Sequence, residues 1–206
     1  TYDIFDERRY FEPSEQCQPV EWNGRRIGIT ICEDVWTEDF LHRPLYKRDP
    51  VSELMGMDVE VILNLSASPY HLGKREVRSE LLGALAKKSG LPFVYCNSVG
   101  GNDQLIFDGG SLVMSSEGVP LVEMAPFDEE IAVAELFTES SSRSSVRPIR
   151  KSLHPDEEVF RALVLGVRDY IHKCGFETAC IGLSGGIDSA LTAAVAVEAI
   201  GADNVL

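Results

Sequence analysis

The sequence predicts an α/β protein, and three observations carry that expectation. Short apolar runs rich in β-branched residues recur at 27–32, 59–65 and 92–97, each ended by polar or turn residues. A stretch with helical spacing, 73–88, lies between the second and third of them. Farther on, a glycine–serine turn at 184–189 joins one more apolar run to an apolar helical stretch. Alternation of strand and helix on this scale is the pattern of a layered α/β architecture.

The elements follow in order. Residues 1–19 are mixed and polar, with Phe5-Asp6-Glu7-Arg8-Arg9-Tyr10-Phe11 at their centre, and read as a loop that packs two aromatics. Trp22-Asn23-Gly24-Arg25 is a turn leading as a hairpin into a strand over 27–32, read as buried. Residues 40–56 read as a loop and a helix, and 59–65 as a second buried strand ended by Ser66-Ala67-Ser68-Pro69. The helix over 73–88 places Val77, Leu81, Leu82, Leu85 and Ala86 on one face, with Gly90 as its C-terminal cap. After the strand at 92–97, residues 99–102 read as a glycine-rich loop, and 105–111, 112–118, 121–124 and 130–136 as short strands and turns. The serine-rich stretch 138–155 is an interdomain linker. A long helix then presents Val159, Leu163, Val167 and Ile171 and stops at Lys173-Cys174-Gly175. A strand over 178–183, a loop over 184–189 and a helix over 190–200 complete the chain.

With 33 acidic against 19 basic side chains in 206 residues, the net charge is −14. That excludes general nucleic-acid binding, which needs a basic face. It leaves room for phosphates held by backbone N–H groups. No apolar run reaches the roughly 18 residues that span a bilayer. The five cysteines (Cys17, Cys32, Cys96, Cys174 and Cys180) show no CxxC or paired framework, which points to a reducing, cytoplasmic setting. Cys96 and Cys180, in apolar strands, read as core. His42, His71, His154 and His172 show no metal-ligand spacing. The chain starts at Thr1 rather than methionine and ends on Asn204-Val205-Leu206, the start of another strand, so a piece of a longer polypeptide is expected.

Two stretches carry chemistry. In Ile31-Cys32-Glu33-Asp34-Val35-Trp36 a thiol stands where a strand ends, at the rim where α/β sites collect. A lone cysteine is more often a small buried hydrophobe. The two carboxylates that follow it are poor core residues and favour a nucleophile. In Ile181-Gly182-Leu183-Ser184-Gly185-Gly186-Ile187-Asp188-Ser189, glycines let the backbone approach a ligand, and the helix start offers free N–H groups to an anion. Ser184 and Ser189 add hydroxyls, and Asp188 suits a magnesium ion bridging phosphates. The bland reading there is a tight turn with Asp188 near an N-cap. The loop is neither a Walker A nor a dinucleotide fingerprint.

Ser184-Gly185-Gly186-Ile187-Asp188-Ser189 resembles the pyrophosphate loop of the N-type ATP pyrophosphatases. The upstream motifs Ile31-Cys32-Glu33-Asp34-Val35-Trp36, Asn64-Leu65-Ser66-Ala67-Ser68-Pro69 and Asp103-Gln104-Leu105-Ile106-Phe107-Asp108-Gly109 resemble a nitrilase-superfamily amidase domain. In this order the pair is similar to the glutamine-dependent NAD synthetase family. That resemblance implies the C-terminal part of a nitrilase-like α-β-β-α sandwich over 1–138, a linker over 139–155, and over 156–206 the start of a Rossmann-like, doubly wound ATP-pyrophosphatase domain. It implies Cys32 as a nucleophile forming a glutamyl thioester, with the Glu33 N–H at the oxyanion. Glu33, Ser68 and Lys74 match positions contacting glutamine, although Lys74 reads equally as a solvated charge at a helix start. Residues 184–189 (Ser184, Gly185, Gly186, Ile187, Asp188 and Ser189) would bind ATP, with Mg on Asp188. Glutamine, ATP and deamido-NAD would be the substrates, and the family forms homo-oligomers without nucleic acid or membrane. Its glutamate base and lysine precede the cysteine, but no lysine precedes Cys32 here and Lys47 follows it. The isolated chain is therefore expected to make little or no NAD. An amidase without synthetase activity, an inactive interaction module, or a different acceptor for the activated group remain open from the residues alone.

Overall fold

A computed structural model describes residues 9–36, 48–137 and 153–206. The architecture is α/β. Six strands form one sheet in the order β1-β2-β3-β4-β7-β8. These are β1 (Val20–Trp22), β2 (Arg25–Ile31), β3 (Val61–Ser66), β4 (Phe93–Asn97), β7 (Leu112–Met114) and β8 (Pro120–Glu123). The central pairs β2–β3 and β3–β4 are parallel, and the outer pairs are antiparallel. A separate hairpin joins β5 (Val99–Asn102) to β6 (Leu105–Asp108). Four helices are described: α1 (Pro50–Met55), α2 (Lys74–Ser89), α3 (Pro155–Lys173) and α4 (Ile187–Ile200).

Local sequence explains the boundaries. Asn23 and Gly24 take positive φ (49° and 74°), as a two-residue hairpin turn between β1 and β2 requires. Asp49 caps α1, accepting from the Ser52 N–H at 3.0 Å, with Pro50 in the first turn. Gly90, left-handed at φ 67°, ends α2. The crossover through α2 connects the parallel strands β3 and β4.

One face of the sheet carries the core. Gly28, Ile62 and Phe93 are neighbours in register there, beneath Leu54, Leu81, Leu82 and Leu85. Gly28 is required by space, since a Cβ would stand 2.6 Å from the Ile62 side chain. The expectation that β2 is buried on both faces is corrected: Ile29 and Ile31 alternate outward and are exposed, as is Leu65 on β3. Cys96 points to that same exposed face, and Cys180 is exposed as well, so neither is core.

The inner face of α2 also departs from the sequence reading. Val77 is exposed, and the buried side is made by Lys74, Arg75 and Arg78 together with Leu81, Leu82, Leu85 and Ala86. The arginines face inward because acidic partners await them. Arg78, 1% exposed, forms a fork with Asp108 at 3.0 and 3.3 Å and donates to the Gly109 carbonyl at 3.0 Å. Its guanidinium also lies 5.4 Å from the centre of the Tyr95 ring. Arg75 reaches Glu123 of β8 at 2.9 Å.

Other expectations shift in detail. Residues 99–102 form strand β5 rather than a loop, because Gly101 and its neighbours pair with β6. Residues 131–137, expected in part as a strand, form none, and Ile131 and Val133 are almost fully exposed. The strand expected at 178–183 is reduced to a parallel bridge between Ala179 and Val205. Helix α3 buries Ala162 and Leu165 against Phe127, with Tyr70, Val99 and Ile106 alongside, whereas Val159 and Leu163 face outward. Pro155, read as the end of the linker, is the first residue of α3. Most of that linker, the start of the 1–19 loop, His42 and Lys47 lie outside the described residues. No helix among the described residues is long and apolar enough to cross a membrane.

Removing one partner of a buried pair strands the other charge, so Arg78→Met should cost about 3–5 kcal/mol in urea unfolding. Val77→Ala, on the exposed side of the same helix, should change stability by less than about 0.5 kcal/mol.

Candidate functional site

The thiol sits at a forced turn. Strand β2 ends at Ile31, and Cys32 opens a short 3-10 turn (Cys32–Val35) with φ +45°. A left-handed non-glycine residue at a strand end is strained, and such strain persists only where the surroundings impose it. Here Asp34 accepts from the Ile31 N–H at 2.8 Å, and Trp36 N–H reaches the Glu33 carbonyl at 2.9 Å. Asp34, which the sequence reading left without a role, is thus the clip that holds the elbow.

Beneath the elbow the inner face of the sheet turns from apolar to polar. Along the parallel strands, Gly28, Ile62 and Phe93 give way to Thr30, Asn64 and Tyr95, and then to Ser66 and Asn97. All five polar residues are buried. Asn64 Nδ2 donates to Thr30 Oγ1 at 3.0 Å and reaches the Cys32 carbonyl at 3.5 Å, while its Oδ1 accepts from Ser66 Oγ at 2.6 Å. Asn97 Oδ1 accepts from the Ser68 N–H at 2.9 Å, and its Nδ2 donates to the Gly109 carbonyl at 2.9 Å. The Arg78–Asp108 pair closes the belt behind them, because Gly109 is shared between Arg78 and Asn97.

The loop from Ser66 to Lys74 wraps over this belt. Burial raises the Cys32 thiol above its ordinary pKa; the Ala67 N–H and the Ser66 hydroxyl pull it down, Glu33 pushes it up, and Lys74 pulls it down. Lys74 is itself 4% exposed, and its Nζ donates to the Pro69 carbonyl at 2.7 Å and lies 5.9 Å from the centre of the Trp36 ring. Burial lowers its pKa to about 8, with Arg78 acting in the same direction and Asp108, Cys32 and Glu33 opposing. Lys74 is therefore not the solvated helix-start charge of the bland reading. Cys32, Glu33 and Lys74 act on one another electrostatically, and Ser68, fully buried, is held against Asn97 in the same layer. The structure thus brings together the four residues expected at the thiol site. His71, beside them in sequence, is exposed and turns its Nδ1 toward the Leu72 carbonyl.

The second motif is separate. Gly185 is left-handed at φ +86°, and Gly186 leads into α4. Ser189 Oγ lies 3.2 Å from Ser184 Oγ, accepts from the Ser184 N–H at 3.3 Å and donates to the Gly186 carbonyl at 3.0 Å, which folds the turn on itself. Asp188 stands in the first turn of α4, exposed beside amides that have no carbonyl one turn back to bond. Nothing lies within 4 Å of a Cβ built on Gly182 or Gly185, so the approach to this loop is open. The donor set suits a polyphosphate, and one exposed carboxylate suits a magnesium ion shared with it rather than caged by protein.

Sequence reasoning missed Asn64, Asn97, Tyr95 and the Arg78–Asp108 pair. A signal existed for the asparagines, since an amide inside a β-branched run is out of place unless its hydrogen bonds are met. The thiol pKa gives a directional test. At pH 7.5 chloroacetamide should modify the exposed Cys96, Cys174 and Cys180 before Cys32, and the Cys32 rate should still be rising past pH 9, as read by peptide mass mapping. Preferential modification of Cys32 at neutral pH would contradict the raised thiol.

Comparison with known proteins agrees with both motifs. The carbon–nitrogen hydrolase family model matches residues 3–143, and the NAD synthase model matches residues 159–206. A glutamine-dependent NAD(+) synthetase of Synechocystis sp. is 44% identical over 207 residues, covering 100% of this chain and 37% of that protein. One from Thermotoga maritima is 39% identical over 236 residues, covering 99% and 39% respectively. The structure of the glutamine-dependent NAD+ synthetase from Acinetobacter baumannii in complex with ADP superposes with a TM-score of 0.88 at 40% identity, over 99% of this chain and 37% of that one. The chain thus spans less than two-fifths of the length of these relatives.

Proposed function

The chain belongs to the carbon–nitrogen hydrolase family, and on that premise we propose that it is part of a glutamine-dependent NAD synthetase. The observation that carries the reading is the pairing, in one chain, of a strained thiol over a buried polar belt with a glycine–serine loop opening a helix. We assign residues 1–138 to a glutaminase domain, 139–155 to a linker and 156–206 to the start of an ATP-using synthetase domain.

In the glutaminase step, Cys32 Sγ attacks the side-chain amide carbon of glutamine. The oxyanion is met by the Glu33 N–H, ammonia leaves, and water hydrolyses the thioester to glutamate. The thiol needs a base for this, because burial holds its proton on. Glu33 faces the α-amino group of the substrate, and Lys74 with Ser68 face its α-carboxylate. Lys74 and Ser68 are suited to this because both are buried and fixed, so little ordering is left to pay on binding.

In the second domain, Ser184, Gly185, Gly186, Ile187 and Ser189 hold the phosphates of ATP through N–H and hydroxyl groups. Asp188 would hold Mg, which supplies charge neutralisation at the phosphates. ATP activates the nicotinate carboxylate of deamido-NAD as an adenylate, releasing pyrophosphate. Ammonia from the first domain then displaces AMP and gives NAD. The unpaired cysteines support a reducing, cytoplasmic setting, and we take the assembly to be a homo-oligomer acting on small molecules, without nucleic acid or membrane.

The reading is tested in the full-length protein. NAD formation from deamido-NAD should release one AMP and one pyrophosphate per NAD, and Asp188→Asn should depress it at least about 100-fold with either glutamine or ammonium as donor. Retention of synthesis by that variant would remove Asp188 from the phosphate site. The KM for glutamine should rise as pH passes about 8, where Lys74 loses its proton, while the KM for ammonium-driven synthesis, corrected for free ammonia, should not follow it.

A further inference from the structure

Helix α3 belongs by sequence to the second unit and packs on α4, yet it also grips the β5–β6 hairpin of the first. Asp169 Oδ2 accepts from the Gly101 N–H of β5 at 2.7 Å, and Lys173 Nζ donates to the Gly101 carbonyl. Arg168 Nε and Lys173 Nζ each stand 3.7 Å from the Asp169 carboxylate. The glycines of β5 make room for this. A Cβ on Gly100 would come within 2.9 Å of Asp169 Oδ2, and one on Gly101 within 3.1 Å of Gly166 Cα on α3. Gly100 also takes φ +139°, which disfavours any side chain.

The hairpin that α3 grips is the support of the loop over the thiol. Gly101 pairs with Ile106, and Gly100 pairs with Phe107. The Ile106 carbonyl accepts from the Tyr70 N–H at 2.7 Å, and Phe107 bridges Pro69. Pro69 in turn holds Lys74 Nζ. The Tyr70 ring meets Phe127 edge-on, with centroids 5.4 Å apart, in the cluster that also holds Ala162 and Leu165 of α3. The path from Asp169 to the Ser68–Lys74 loop is therefore made of hydrogen bonds and packed side chains without a break.

We propose that α3 positions the Ser68–Lys74 loop through the β5–β6 hairpin, with Asp169 as the positioning residue. It rests on the glutaminase reading only in calling that loop substrate-holding. The first unit then needs the first helix of the second to set its own site, and cleavage between 138 and 152 would leave the brace in place only if α3 stays docked.

The test is hydrogen–deuterium exchange on the full-length protein, with no glutamine present. Asp169→Ala should raise exchange about tenfold in both 100–107 and 67–71, the two segments moving together. Asp169→Asn keeps an acceptor for the Gly101 N–H and should stay within about twofold of wild type. Exchange in 27–31 of β2, which is paired to β1 and β3 and makes no bond to the hairpin, should change by less than about twofold in either variant. A rise confined to 100–107, a failure of Asp169→Asn to rescue, or a rise across the whole chain would each overturn the proposal. Should Asp169→Ala not fold, Lys173→Met carries the test, with a smaller joint rise expected in the same two segments and its absence overturning the proposal. Failure of the glutaminase reading would appear instead as unchanged glutamine use in a Cys32 variant, which leaves the exchange result untouched.

Discussion

The buried ion pair between Arg78 and Asp108 is the constraint on which the candidate site depends. Both residues are 1% exposed, so neither charge has water to fall back on. Each is tolerable only because the other is in place and because Arg78 also donates to the Gly109 carbonyl. That geometry fixes the end of β6 against α2. It thereby fixes the Gly109 carbonyl that Asn97 needs, and Asn97 holds the Ser68 amide. A helix, a hairpin and the loop over the thiol are set by one interaction.

A second feature is the division of labour along the parallel strands. Their first halves are apolar and pack against α1 and α2, while their last residues are polar and satisfy one another. Reacting groups gather at such strand ends because the backbone there is still rigid but the side chains reach beyond the core. The left-handed backbone of Cys32 projects the thiol from that edge, and Asp34 supplies the hydrogen bond that offsets part of the strain. Because the thiol is raised by burial, the arrangement supplies placement more than activation. Beside it stands a buried cation, Lys74, whose amine donates to the Pro69 carbonyl and lies near the Trp36 ring.

Much of this was legible in the sequence, for identifiable reasons. β-Branched runs, the Asn23-Gly24 turn and the glycine cap at Gly90 are local signals, and local signals located the central strands and the long helix. The thiol stood out because the two carboxylates after it are wrong for a core, and the glycine–serine loop because its glycines and hydroxyls sit between an apolar run and a helix. What was not legible depends on partners far apart in sequence. The inward turn of Arg75 and Arg78 in place of Val77 follows from acidic groups 30 and 48 residues away. The β5 strand was hidden because its glycines, read as loop, are there to admit α3. Cys96 looked like core because strand periodicity shows two faces without saying which one is covered.

The central claim is that Cys32 is the nucleophile that releases ammonia for a separate, ATP-driven amidation. The measurement that tests it most directly is NAD formation by the full-length protein, wild type and Cys32→Ala, with glutamine or with ammonium as nitrogen donor. The account predicts that Cys32→Ala loses glutamine-driven synthesis and keeps ammonium-driven synthesis. If both donors still serve the variant, the strained thiol is structural and the account of the site is wrong.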